Sequence, residues 1–302
     1  MCCIIGTVFQ ALRLDNALVW DRSFRQNSRH ELPRFADSIS RMLLRVASFV
    51  SLSWAIVSLG SAQTTAPAPK RDLTGIWAPA VRGTGTQPNG ASNMPDDGKP
   101  EHDLHYTPYG LQVLSTHKTP NGTREVAPTD ENDPGHACDP MGFPRQNLFE
   151  LRATQFIQTP IQMIMLYTYN KVWRTVWTDG RALPKDPDPR WYGYSVGRWT
   201  DDFTFEIDTN GTDERTWVDN AGRPHSDELT AREIWHRIDQ NSVELSMTIT
   251  DPKIYERPWL AINRMRFSLQ QPTYEAPEMI CSPSEIAAYN KRYSKTSGTG
   301  KR

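Results

Sequence analysis

Period-two alternation of apolar and polar residues dominates the second half of the chain. FTFEIDTN (203–210) alternates strictly, and LTAREIWHRID (229–239), SVELSMTIT (242–250) and WLAINRMRFSLQ (259–270) have the same strand character. Upstream, IQMIMLYTY (161–169), VWRTVWT (172–178) and WYGYSVGRWT (191–200) also read as strands. Asn170-Lys171, Asp179-Gly180, Asp201-Asp202 and Gln240-Asn241 fall between or beside these segments as turn pairs. Short turns between alternating runs predict successive antiparallel strands, a meander. SPSEIAAYNKRY (282–293) carries a helix start instead, with Ser282 as N-cap, Pro283 at N1 and Glu285 at N3.

Residues 80–145 are rich in Gly, Pro, Asn and Asp and show little periodicity. A stretch of that length in a compact domain is either functional or wrapped over the surface. Before it, DLTGIWAP (72–79) opens the ordered structure, and Gly75-Ile76-Trp77 matches the G-x-W with which lipocalin-like, or calycin, barrels begin. The expected fold is therefore mainly β. An antiparallel meander closes into a lipocalin-like barrel, removing its strand edges, or forms a strongly curved sheet. A C-terminal helix and long irregular N-terminal loops complete it. Arg264 or Arg266, on the last strand, is the expected partner to stack on Trp77.

Composition narrows the picture. Thirty aromatic residues and 23 prolines favour strands and loops over a helical bundle. The formal net charge of −1 offers nothing for nucleic acid to recognise. From Met42 the chain reads MLLRVASFVSLSWAIVSLGSAQTT, with Arg45 before the apolar run Val46 to Leu59 and small residues after it. This is the layout of a secretory signal peptide, and the run is shorter than the ~20 residues of a spanning helix. Residues 42–63 are thus expected as a cleaved signal and 1–41 as an upstream extension outside the gene's true start. Residues 64–71 read as a linker, 72–295 as one domain and 296–302 as a disordered tail. Removing residues 1–62 takes away seven Arg and four acids, which leaves a charge of −4 and no attraction to an anionic membrane. The expected location is periplasmic or extracellular, with no stable membrane anchor. Cleavage would leave Cys138 and Cys281, and two cysteines in an oxidising compartment most simply make one disulfide.

Candidate chemistry is scattered. GYSVG (193–197) is a literal G-x-S-x-G, but a nucleophile elbow needs a strand, a sharp turn and a helix. An alternating strand follows Gly197, so Ser195 is expected on a strand whose glycines mark bends or close backbone approach. His102 and His105 in EHDLH, like His136 beside Cys138, lack further ligands at suitable spacing, so neither metal nor cofactor is expected. PHSDEL places His225 near Asp227 and Glu228, types suited to acid–base work, and Asp179 is a further candidate. A polar turn entering the strand at Leu229 is the plainer reading. Arg145 in DPMGFPR and Arg181 in DGR could grip a carboxylate or could tie down loops.

The strings DLTGIWAP, NDPGHACDPMGFPR, VWRTVWTDGRALPKDPDPRWYGYSVGRW, PHSDELTAREIWHRID and DPKIYERPW together resemble a large family of secreted hypothetical proteins of soil bacteria, over residues 72–293. The resemblance implies export and a single domain, without a particular reaction.

Two functions fit. The first is an exported protein binding a small hydrophobic or aromatic molecule. Alternation puts Trp173, Thr175 and Trp177 on one strand face and Tyr192, Tyr194, Val196 and Arg198 on one face of another. If those faces meet, Trp173, Tyr192 and Tyr194 line a pocket with Arg174 or Arg181 at its rim. Packed core is the competing reading of such aromatic stripes. The second function is a cofactor-independent isomerase, cyclase or hydrolase, using the acid–base residues in the same pocket.

Overall fold

The structure is a computed structural model that describes residues 66–80, 92–127, 130–149 and 151–293. The expected upstream extension, signal peptide and C-terminal tail lie outside the described residues. Nine strands form a closed barrel: β1 (Gly75–Pro79), β2 (Thr154–Gln158), β3 (Gln162–Tyr167), β4 (Trp173–Trp177), β5 (Tyr194–Trp199), β6 (Thr204–Asn210), β7 (Thr230–Arg237), β8 (Ser242–Thr250) and β9 (Trp259–Leu269). Neighbours in sequence are neighbours in the wall, and β1 closes against β9 through Trp77–Leu269 to Pro79–Phe267. The fold is mainly β, a barrel of lipocalin-like form, as the alternation implied.

Turn chemistry sets the register. Asn170 and Lys171 both have positive φ, 55° and 50°, so two successive left-handed residues reverse the chain between β3 and β4. Asp201 caps the β5–β6 turn by accepting hydrogen bonds from the Phe203 and Thr204 amides at 2.6 and 2.7 Å. Strand β2 escapes the pattern because TQFIQ holds only two apolar residues, of which Phe156 alone is buried.

One junction departs from the meander. β4 and β5 run parallel and pair over only two positions, Val176–Ser195 and Trp177–Val196. The proline-rich segment 178–193 carries the chain back to the starting end before β5 begins.

Inward side chains fill the barrel with Trp77, Phe156, Met163, Phe205, Trp235 and Phe267. Trp77 donates its indole N–H to the Leu73 carbonyl at 2.8 Å. Its stacking partner is Arg237, whose guanidinium carbon lies 4.9 Å from the ring, and not Arg264 or Arg266. A bulge in β9, where Arg264 adopts φ 49°, accompanies the register shift against β8. Both arginines there pair with Glu244, at 2.8 and 2.9 Å.

The irregular region wraps the barrel. Helix α1 (Pro108–Thr116) starts at Thr107, whose hydroxyl accepts the Gly110 amide proton at 2.9 Å. The Thr107 amide bonds the Ile254 carbonyl at 2.9 Å and fixes the wrap to the β8–β9 connection. The short helix α2 (Arg145–Leu148) is wholly buried. Helix α3 (Pro283–Tyr293) begins as its Ser-Pro-x-Glu start implies, with the Ser282 carbonyl accepting the Ile286 amide proton at 3.0 Å. Residues 66–71, expected as linker, rest on the barrel: the Arg71 amide bonds the Asp202 carbonyl at 2.7 Å. Among the described residues no helix is long and apolar enough to cross a membrane.

A disulfide joins Cys138 and Cys281, 143 residues apart, and so ties the wrap to the C-terminal segment. Asn170 and Lys171 hold the same segment: the Asn170 amide bonds the Met279 carbonyl at 2.6 Å, and the Lys171 ammonium bonds the Pro277 carbonyl at 2.9 Å. Closing so long a loop stabilises by about 3–5 kcal/mol in the chain-entropy model. Cys138→Ala/Cys281→Ala should lower the unfolding free energy by that order in urea titration. An unchanged midpoint would remove the disulfide from the stability of the fold.

Candidate functional site

A cleft of about 330 Å³ opens where β4 and β5 part. Its origin is the two-position pairing: beyond Val176–Ser195 the strands diverge, and the side chains of that gap line the cleft. Trp173, Trp177, Trp191, Tyr192 and Tyr194 supply five aromatic rings. Trp173 is 65% exposed, so it projects from the outer wall of the barrel rather than into the core. Burial pushes the Tyr192 phenol up to about 12, so it is neutral at physiological pH.

Arginines stack on these rings. Arg181 lies 3.6 Å from the Trp177 ring centre, Arg190 4.0 Å from that of Tyr194 and Arg215 4.4 Å from that of Trp191. Arg181 is also held by Asp179 at 2.6 Å, and Arg215 by Asp213 at 2.6 Å.

Beneath the cleft is a buried ionic cluster. Arg174, a cleft-lining residue, turns its side chain inward from β4 and pairs with Glu233 of β7. Asn147 of α2 donates to the other carboxylate oxygen of Glu233 at 2.6 Å. Phe143 lies 4.5 Å from the Arg174 guanidinium carbon. Arg174 and Glu233 are almost wholly buried, so α2 acts as a plug fastened to the inner wall by a charged hydrogen bond. Glu233 was not among the residues singled out by sequence. The inward positions of REIW, read with period two, carry its one signal: an acid between the buried Ala231 and Trp235.

The structure brings Trp173, Arg174, Tyr192 and Tyr194 together at one cleft, with Arg181 alongside on Trp177. Arg145 is elsewhere, buried in α2 and bonded to Asp133 through its Nη1 and Nη2 at 2.6 Å each. Burial alone would raise the Asp133 carboxyl, and the Arg145 contacts outweigh it, holding it below its ordinary value.

The acid–base candidates do not converge. His225 is buried, 2.7 Å from the Thr216 hydroxyl and 3.1 Å from the Ser226 carbonyl. Asp227 and Glu228 instead face solvent and share Lys253 at 2.7 and 3.4 Å. Asp179 is engaged by Arg181. Ser195 lies on β5 as a strand residue, its hydroxyl 2.9 Å from that of Thr209. The flanking glycines are needed for space: a Cβ at Gly197 would meet Phe205 at 2.5 Å, and one at Gly193, where φ is 61°, the Asn210 carbonyl at 2.4 Å. His102 bonds Asp97 at 2.8 Å, and among the described residues no cluster of three or more His, Cys, Asp or Glu is placed to share an ion.

Two stability predictions follow from these buried groups. Glu233→Ala strands a buried guanidinium and should cost about 3–5 kcal/mol in urea unfolding, while an Arg174→Met/Glu233→Leu double variant should recover most of the loss. A single-variant loss within error of zero would overturn the plug. Burial also holds the His225 imidazole below its ordinary value of about 6.5. The unfolded chain therefore takes up a proton that the folded chain refuses, so this contribution is present above pH 6.5 and is lost as pH falls. His225→Gln should flatten the stability–pH curve below that point by up to about 1.4 kcal/mol per pH unit. Unchanged curvature would mean that the imidazole charges freely within the fold.

Comparison of the chain with known protein families, with curated proteins and with solved structures finds no match, so the functional reading rests on the geometry itself.

Proposed function

We propose that this protein is an exported binder of a small hydrophobic or aromatic molecule, held in the cleft between β4 and β5. The observation that carries the reading is the convergence of five aromatic rings on one solvent-open cleft. Its volume of about 330 Å³ falls within the range of small-ligand sites, which combine apolar walls with a few orienting polar groups. Rigid rings that lose little entropy on contact suit stacking against a planar molecule. The signal-like segment from Met42 and the Cys138–Cys281 disulfide support an oxidising compartment outside the cytoplasm, in keeping with the resemblance to secreted proteins of soil bacteria. None of His225, Asp227, Glu228 and Asp179 is among the residues that line the cleft, which favours binding over acid–base catalysis there.

Titration of the purified exported chain with 2-naphthalenemethanol, a neutral bicyclic probe, should show saturable binding by calorimetry. Trp173→Ala should weaken it by about tenfold, the size of a lost stacking contact of ~1.4 kcal/mol. Intact mass should place the mature N-terminus near Gln63 or Thr64. No heat of binding up to millimolar probe, in a folded protein, would overturn the binding reading, and a retained residue 1 would overturn export through this signal.

A further inference from the structure

We infer that the cleft selects an aryl carboxylate, with the ring on the tryptophan and tyrosine faces and the carboxylate on Arg190. The inference rests on the binding reading above and adds the charge of the ligand. Its basis is an imbalance among three arginines that all stack on cleft aromatics. Arg181 is closed off by Asp179 and Arg215 by Asp213. Arg190 stacks on Tyr194 and has no carboxylate partner among the described residues. The described residues that line the cleft include two arginines and no Asp or Glu, and the second arginine, Arg174, is already neutralised by Glu233. One uncompensated positive charge therefore stands at an aromatic cleft.

The position of Arg190 is built rather than incidental. Its amide bonds the Gly211 carbonyl at 3.0 Å, and its carbonyl accepts the amide protons of Gly193 and Asp213, each at 3.0 Å. These bonds pin the backbone against the β6–β7 connection, where Arg190 also forms a bridge with Thr212. Stacking on Tyr194 covers one face of the guanidinium and leaves its N–H edges in the plane for a bidentate carboxylate. A ring and an anion on one small molecule would satisfy both features.

Calorimetry with three probes separates the parts: 2-naphthoate, the neutral 2-naphthalenemethanol, and cyclohexanecarboxylate. The expected result is that 2-naphthoate binds about tenfold more tightly than the alcohol, the scale of one charge-assisted pair at a half-open site. Arg190→Gln should abolish that preference, so that naphthoate and alcohol bind the variant equally, Arg190→Lys should restore part of it, and Arg181→Gln should leave it intact. Equal affinity of naphthoate and alcohol overturns the anion assignment while the aromatic reading stands. Loss of the preference in Arg181→Gln, or its persistence in Arg190→Gln, overturns the assignment to Arg190. Cyclohexanecarboxylate binding as tightly as naphthoate overturns the aryl class. No binding by either naphthalene probe overturns the aromatic reading and this inference with it.

Discussion

An antiparallel barrel of strands joined strictly in sequence closes on itself only if the number of strands is even. With nine, first and last strands would run the same way and meet in parallel. One parallel junction elsewhere restores antiparallel closure, and here it falls between β4 and β5. A parallel junction cannot be made by a two-residue turn, so the chain must spend residues 178–193 returning to the other end. That excursion brings Trp191, Tyr192 and Arg190 alongside Trp173 and Trp177, and the brief pairing leaves the wall parted there. The cleft is a consequence of how the barrel closes.

Charge inside the barrel follows from the same junction. Arg174 precedes the paired part of β4 and points inward, where an isolated guanidinium would be costly; Glu233 from across the barrel compensates it. Asn147 satisfies the second oxygen and so draws α2 into the barrel. Arg145, two residues earlier, is bound by Asp133, which sits a few residues before Cys138. The wrap, plug, disulfide and C-terminal segment are thus linked: Cys281 bonds to Cys138, and its amide bonds Asn170 at the β3–β4 turn that leads into Trp173. The floor and one edge of the cleft depend on contacts made by the wrap, with its helix α2, and by the C-terminal segment.

Much of this was legible from residues alone. The strict alternation of β6, the turn pairs at Asn170-Lys171 and Asp201-Asp202, and the Ser-Pro-x-Glu helix start are local signals, and each acts through backbone geometry that neighbours in sequence determine. Period two also placed Trp173 with Trp177, and Tyr192 with Tyr194. Helix α1 and strand β2 were less visible, because α1 lies inside a Gly- and Pro-rich stretch and β2 carries too few apolar residues to show a period.

Other features have no local signature. The arginine that stacks on Trp77 is Arg237 of β7, while Arg264 and Arg266 of the last strand are taken by Glu244. Glu233 and Arg174 are 59 residues apart and meet only because the barrel closes. His225, Asp227 and Glu228 are adjacent in sequence, yet the turn buries the first and turns the others to solvent. The sequence by itself determined the elements, their turns and the aromatic faces, since these rest on short-range sterics and alternation. Only the tertiary structure decided the parallel junction, the opening of the cleft and which charges are paired, since these depend on closure between residues distant in the chain.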